Sequence, residues 1–173
     1  MTTKISNWTI HTQSPEETVQ LGNCIGKCLK PGQIVALIGD LGAGKTWLSR
    51  GIGTGLGILQ NHHVHSPAFD LVHEHPGTIP MFHMDIYRLD DFSREDELWI
   101  SEYLNSNTGV CVIEWANKFI KDILDEYLEI HLKTVDSNET ERILTLISVG
   151  DKYTKLLENI KKEFTCEFLE KNR

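Results

Sequence analysis

Residues Gly39 to Thr46 read G-D-L-G-A-G-K-T, and the chemistry served by a G-x-x-x-x-G-K-T run is the binding of a nucleotide's phosphates. Gly39 and Gly44 free the backbone to turn its N–H groups toward an anion, and Asp40, Leu41, Gly42 and Ala43 supply the rest of the loop. Lys45 places a positive charge against the β- and γ-phosphates, and Thr46 carries a hydroxyl suited to Mg²⁺. Trp47 follows directly and belongs to the same expected nucleotide-binding set.

A phosphate loop that hydrolyses its nucleotide needs carboxylates at the ends of neighbouring strands, to hold the metal and to orient water. Asp85 and Glu114 each close an apolar run and meet that need, with the division of the two tasks between them left open. Ser66 precedes Pro67, which restricts it to extended backbone, and so suits a switch-like hydroxyl near the γ-phosphate or its metal. His83 stands two before Asp85 on one strand, hence on the same face, as a rim residue or a satisfied buried histidine. Six of the eight histidines fall between His62 and His83, namely His62, His63, His65, His73, His75 and His83. None pairs with a cysteine or forms a helical H-x-x-x-H, so zinc is not expected.

Other nucleotide classes fit poorly. Asn117-Lys118-Phe119-Ile120 begins N-K-x-D and lacks its aspartate, and no D-x-x-G is present, which argues against GTP. No L-S-G-G-Q occurs, which removes a transporter-type ATPase. A small-molecule kinase stays open, although Arg88 and Arg94 make a sparse lid for clamping a transferring phosphoryl group.

The elements that must position these residues are legible from pattern. Lys4 to Thr12 suits a strand. Ser14-Pro15-Glu16-Glu17 starts a helix with Ser14 as cap and Glu17 closing a capping box, and Leu21, Cys24, Ile25, Cys28 and Leu29 form its buried stripe. Gln33 to Ile38 is the strand that empties into the phosphate loop. The helix after Thr46 holds Gly51, Gly53, Gly55 and Gly57, poor helix formers that are expected to let it lie close to the sheet, the last two serving also as its end. Asn61 to Ser66 reads as a polar loop, Phe69 to His73 and Ile79 to Met84 as strands, and Ser93 to Leu104 as a helix with Leu98 and Leu104 inward. Val110 to Ile113 is a central parallel strand covered on both faces. Phe119 to Leu124 forms a short helix. Leu128, Ile130 and Leu132, then Ile143, Thr145, Ile147 and Val149, alternate about a turn at Asp136-Ser137-Asn138 as an antiparallel hairpin. Tyr153, Leu156, Leu157, Ile160 and Phe164 give a terminal helix packed back on the rest.

The expected class is α/β: a three-layer P-loop NTPase fold, a mostly parallel central sheet with an added antiparallel hairpin. The 173 residues suit a single P-loop ATPase domain over 1–173, with residues 151–173 a C-terminal helical extension. Hydrophobic residues make up 40% and charged residues 24%, as in soluble globular proteins. Lysine and arginine number 17 against 25 acidic residues, and the resulting -8 argues against a broad nucleic-acid surface. No run resembles a signal peptide or approaches the ~20 apolar residues of a membrane span, so a cytoplasmic protein with no membrane partner is expected. Cys24, Cys28, Cys111 and Cys166 lack zinc spacing and read as reduced core thiols.

Taken together, S-P-E-E-T from Ser14, G-D-L-G-A-G-K-T from Gly39, S-P-A-F from Ser66, H-M-D-I-Y-R from His83 and I-E-W from Ile113 are similar to the bacterial tRNA threonylcarbamoyladenosine biosynthesis ATPases of the TsaE (YjeE) family, over about Ser14 to Leu132. The resemblance implies an ATPase using ATP and Mg²⁺ that assists the TsaD–TsaB transferase pair in modifying the adenosine next to the anticodon. With a net charge of -8, contact with tRNA is expected only through that complex, and the protein is expected to be a monomer or weakly self-associating when alone. It gives Lys45 and Thr46 the phosphate and metal roles, matches Asp85 to an essential carboxylate and Glu114 to a Walker B-like glutamate, and puts Trp115 near the nucleotide. Three positions depart from the family pattern: Ala68 and Trp47 each replace a threonine, and Trp99 replaces a glycine. The tail beyond Asp151 is longer than is common. A small-molecule kinase and a nucleotide-responsive binding module without turnover are the competing readings.

Overall fold

The structure is a computed structural model that describes residues 6–59, 64, 66–67, 71–87, 94–118 and 120–171. The expectations placed on His62, His63, His65, Ala68, Phe69, Arg88 and Phe119 lie outside the described residues, as does the side chain of Arg94.

Elements follow in the order β1 (Ser6–Thr12), α1 (Pro15–Cys28), β2 (Ile34–Ile38), α2 (Lys45–Gly55), β3 (Val72–His75), β4 (Met81–Asp85), α3 (Arg94–Leu104), β5 (Val110–Glu114), a 3₁₀ turn (Ala116–Lys118), α4 (Ile120–Ile123), β6 (Tyr127–Val135), β7 (Asn138–Val149) and α5 (Asp151–Lys171). One sheet takes them in the order β1-β7-β6-β2-β5-β4-β3. β6, β2, β5 and β4 form a parallel block, while β7 and β3 run against their neighbours. β1 pairs antiparallel to β7 and so shares the direction of the central block, which makes the sheet mostly parallel.

β2 and β5 are continuous apolar runs because both faces are covered. Val35, Leu37 and Val112 pack with Leu21 and Ile25 of α1, Leu48 and Ile52 of α2, and Tyr153 and Leu157 of α5. Ile34, Ala36, Cys111 and Ile113 pack on the opposite face with Ile100, Leu104 and Ile120. The phosphate-loop strand is therefore held in the middle of three layers. No helix among the described residues is long and apolar enough to cross a membrane.

Several details depart from the sequence reading. Ser14 Oγ accepts from Glu17 N at 3.2 Å as expected, but Glu17 Oε2 takes the N–H of Gln13 at 2.7 Å, one residue before the cap. Leu98 is exposed while Ile100 and Leu104 are buried, since a spacing of four keeps two side chains on one helix face and a spacing of six does not. β3 begins at Val72, just after Leu71 with its φ of 57°. On β7 the buried members are Leu144, Leu146 and Ser148; the β-branched set from Ile143 faces the more open side. Val64, within the stretch expected to be a polar loop, is buried in the core. All four cysteines are free, but Cys166 lies exposed on α5, outside the core.

The glycines of α2 serve a helix partner more than the sheet. A Cβ at Gly51 would sit 2.1 Å from Val19 O, and one at Gly55 2.3 Å from Asn23 O, both on α1. Gly22 and Gly26 answer from α1 with 2.5 Å to Leu48 O and 2.3 Å to Ile52 O. Two glycine pairs, each spaced by four, thus bring the helix backbones into contact. Gly53 alone of the set faces Ile58, Val64 and Met81, and Gly57 ends the helix region at a φ of 82°.

Candidate functional site

β2 ends at Ile38 and the chain turns through Gly39, where a Cβ would meet Leu132 O at 2.6 Å. Gly42 and Gly44 take φ values of 80° and 103°, a region that L side chains rarely adopt. Gly44 is the N-cap of α2, with no capping side chain and no acidic residue in the first turn. The positive end of α2 is thus left without a protein oxygen of its own, an arrangement suited to an anion.

Lys45 Nζ donates to Gly39 O at 2.7 Å and Asp40 O at 3.0 Å. It also lies 3.8 Å from the centre of the Trp115 ring. Burial holds its pKa below the ordinary lysine value, against the opposing pull of Glu114, Asp85 and Asp40.

Asp85 and Glu114 are register partners at the carboxyl ends of the adjacent strands β4 and β5. Both are buried, yet each is fully engaged. Glu114 Oε2 accepts from Thr46 Oγ1 at 3.3 Å, and Oε1 from Ser49 Oγ at 3.1 Å. His83 Nε2 lies 2.9 Å from the same Oε1. Asp85 accepts from Ser66 Oγ and, at 3.0 Å, from the Tyr87 backbone N–H. The sheet edge therefore gathers Lys45, Thr46, Asp85, Glu114 and Ser66. His83 is not at the rim; it is fully buried beneath Glu114, because the residue two before a strand end lies one side-chain layer deeper.

Trp115 has a φ of 63°, which turns its ring over Lys45 and to 4.6 Å from the ring of Tyr87. Trp47 is half exposed on α2 with the Arg50 guanidinium 4.7 Å from its ring centre, and Leu41 stands exposed on the loop. Arg50 Nε in turn donates to Val64 O at 2.8 Å, which ties the segment before Ser66 to α2. Leu41, Trp47, Tyr87 and Trp115, with Lys45, Thr46, Ser66, Asp85 and Glu114, border a cleft of about 440 Å³. No group of three His, Cys, Asp or Glu close enough to hold a metal by themselves occurs among the described residues. The donors present are a hydroxyl and carboxylates, the hard oxygen ligands that Mg²⁺ takes alongside phosphate and water.

Ser49 and Arg142 went unnoticed in the sequence. Ser49 is a polar residue on the buried face of α2, four after Lys45, and that spacing was a usable signal. Arg142 is 98 positions from Gly44 and carries no local signature.

A three-layer α/β sheet whose central strand feeds a glycine-rich loop and helix, with carboxylates closing the adjacent strands, defines a P-loop NTPase fold. The chain belongs to the TsaE family: the family model described as threonylcarbamoyl adenosine biosynthesis protein TsaE matches residues 12–144. Among relatives, the tRNA threonylcarbamoyladenosine biosynthesis protein TsaE of Bacillus subtilis is 38% identical over 152 residues, covering 87% of this chain and 92% of that one. The protein of the same name from Rickettsia conorii is 35% identical over 164 residues, covering 93% and 87%. The crystal structure of Bacillus subtilis YdiB superposes with a TM-score of 0.76 at 32% identity, over 92% of this chain and 97% of that one. α5 begins beyond the residues that the family model matches.

Proposed function

We propose that this protein is a Mg²⁺-dependent ATPase that acts with the TsaD–TsaB transferase pair in forming threonylcarbamoyladenosine next to the tRNA anticodon. The observation that carries the reading is the convergence of Lys45, Thr46, Asp85 and Glu114 at one sheet edge, under the uncapped N-terminus of α2. Family membership supplies the process, and the naming of its relatives after that modification supports it.

In this reading the loop 39–46 cradles the phosphates with backbone N–H groups, and Lys45 exchanges its two carbonyl partners for phosphate oxygens. Mg²⁺, when bound, neutralises charge that develops on the β- and γ-phosphate oxygens. Thr46 and Glu114 would hold it, directly or through water. Asp85, one strand away and tied to Ser66, is placed to orient water and to report on the γ-phosphate through the segment that carries Ser66. Trp115 covers the lysine and limits its access to bulk water. With a net charge of -8, contact with tRNA runs through the transferase pair.

The test is phosphate release measured with the protein alone and with the purified transferase pair, followed by tRNA modification at substoichiometric and excess enzyme. Acceleration by the pair, and multiple rounds of modification only with this protein present, are expected. Equal multiple-turnover modification without it would defeat the proposal. Phosphate transfer to a metabolite would favour a kinase, and nucleotide binding without turnover beside the partners would favour a binding module.

A further inference from the structure

A loop that turns its N–H groups inward must turn its carbonyls elsewhere, and those carbonyls need donors. Two cations take four of them, with Asp40 O shared with the Ala43 N–H. Lys45 takes Gly39 O and Asp40 O from the cleft side. On the other side Arg142 Nε donates to Ala43 O at 2.9 Å and Nη2 to Gly42 O at 3.2 Å. The same guanidinium uses Nη1 on Glu139 O and, at 2.9 Å, on Glu141 O. It therefore joins the end of the β6–β7 hairpin to the outer wall of the phosphate loop.

We propose that Arg142 is a positioning residue for the phosphate loop, holding the carbonyls of Gly42 and Ala43 outward so that the neighbouring N–H groups face the cleft. The proposal rests on the loop being the nucleotide site. Arg142 is well placed for the task, because its backbone is fixed on both sides, opposite Thr12 on β1 and Thr134 on β6. A planar fork loses less freedom per hydrogen bond than a lysine stem does, and it can span two successive carbonyls where an ammonium offers a point charge. Position 44 records the same contact: a Cβ there would lie 3.3 Å from Arg142 Nε, so the arginine would have to give by a few tenths of an ångström, while the left-handed turn itself strains any side chain at this position. Once Lys45 turns toward a phosphate, Arg142 is the cation still bonded to the loop's own carbonyls.

The experiment compares the full chain with Arg142→Met and Arg142→Lys, using calorimetric titration of Mg-ADP, steady-state hydrolysis, thermal melting and hydrogen exchange of residues 39–46 without nucleotide. Both variants are expected to melt within a few degrees of the unaltered protein, to exchange faster in the loop, and to bind Mg-ADP about tenfold more weakly, the loss falling on KM more than on kcat. Unchanged affinity and exchange in Arg142→Met would overturn the proposal. Full recovery in Arg142→Lys would overturn it too, since it would show charge across the loop to be sufficient. Should the unaltered protein bind no nucleotide, the reading of the loop as a nucleotide site fails, and the exchange comparison still decides whether Arg142 holds the loop.

Discussion

The imidazole of His83 lies wholly buried with Nε2 2.9 Å from Glu114 Oε1, so the strand-end carboxylate is oriented from beneath by a ring on the neighbouring strand. Its Nδ1 has no hydrogen-bond partner among the described residues, so the contact with Glu114 is the one this ring is built around. His83→Leu is expected to lower kcat by about ten- to hundredfold with little change in KM, as loss of a supporting partner does elsewhere. His83→Gln, which can return an N–H to the same oxygen, should recover a measurable part of the rate. Equal loss in both variants, tracked by equal loss of melting temperature, would reduce the histidine to packing.

Lys45 and Glu114 should separate binding from turnover. Lys45→Ala removes the charge that faces the cleft and should weaken ATP binding by about a hundredfold in calorimetry. Glu114→Ala should retain affinity within about tenfold while hydrolysis and repeated tRNA modification fail. Unchanged ATP binding by Lys45→Ala would contradict the assignment of the loop.

The helix pair makes a stability prediction with an internal control. Gly51→Ala forces a methyl to within 2.1 Å of the Val19 carbonyl, a backbone atom that cannot step aside. Overpacking of this kind costs about 1–3 kcal/mol and should lower the melting temperature by several degrees. Gly53→Ala meets only the tips of Ile58 and Val64 at 3.1 Å, which can rotate, and it gains helix propensity. Scanning calorimetry should therefore rank Gly51→Ala well below Gly53→Ala.

Tyr153 links α5 to the phosphate-loop strand, its hydroxyl oxygen accepting from Ile34 N at 2.8 Å. Burial pushes its pKa up to about 12, while in the unfolded chain it titrates near the ordinary tyrosine value of 10.0. A raised folded pKa gives stability that is fully present below pH 10 and is lost as pH rises through about 12. Tyr127 and Cys111, also raised by burial to about 12, add to the same alkaline limb. Tyr153→Phe leaves the Ile34 N–H without its acceptor and should cost about 1–3 kcal/mol at neutral pH in urea unfolding. It should also make the loss between pH 10 and 12 shallower. A melting profile that is flat across that range in the unaltered protein would contradict the linkage.

The parts of the site that announce themselves by local pattern were legible in the sequence. Gly39 to Thr46 is a contiguous signature, and Asp85 and Glu114 are marked by the apolar strands they close. What escaped is pairing across the sheet. Whether His83 reaches a rim or a buried carboxylate depends on the register of β4 against β5, and Arg142 meets the loop only because β7 folds beside β6. Leu98 and the β-branched set of β7 show the other limit: apolar residues exceed the number of buried places, and partner packing decides which are chosen.

The glycine-to-glycine seam between α1 and α2 also has a mechanical meaning. Where backbone rests on backbone there are no rotamers to yield, so a displacement cannot be absorbed between the helices as it can across a layer of long side chains. α1 and α2 run parallel, Gly22 beside Gly51 and Gly26 beside Gly55, so the Ser14 cap and the Gly44 cap stand at the same end of one stiff pair. A push on the outer face of α1 at these positions meets the backbone of α2 with no side-chain layer between to take it up.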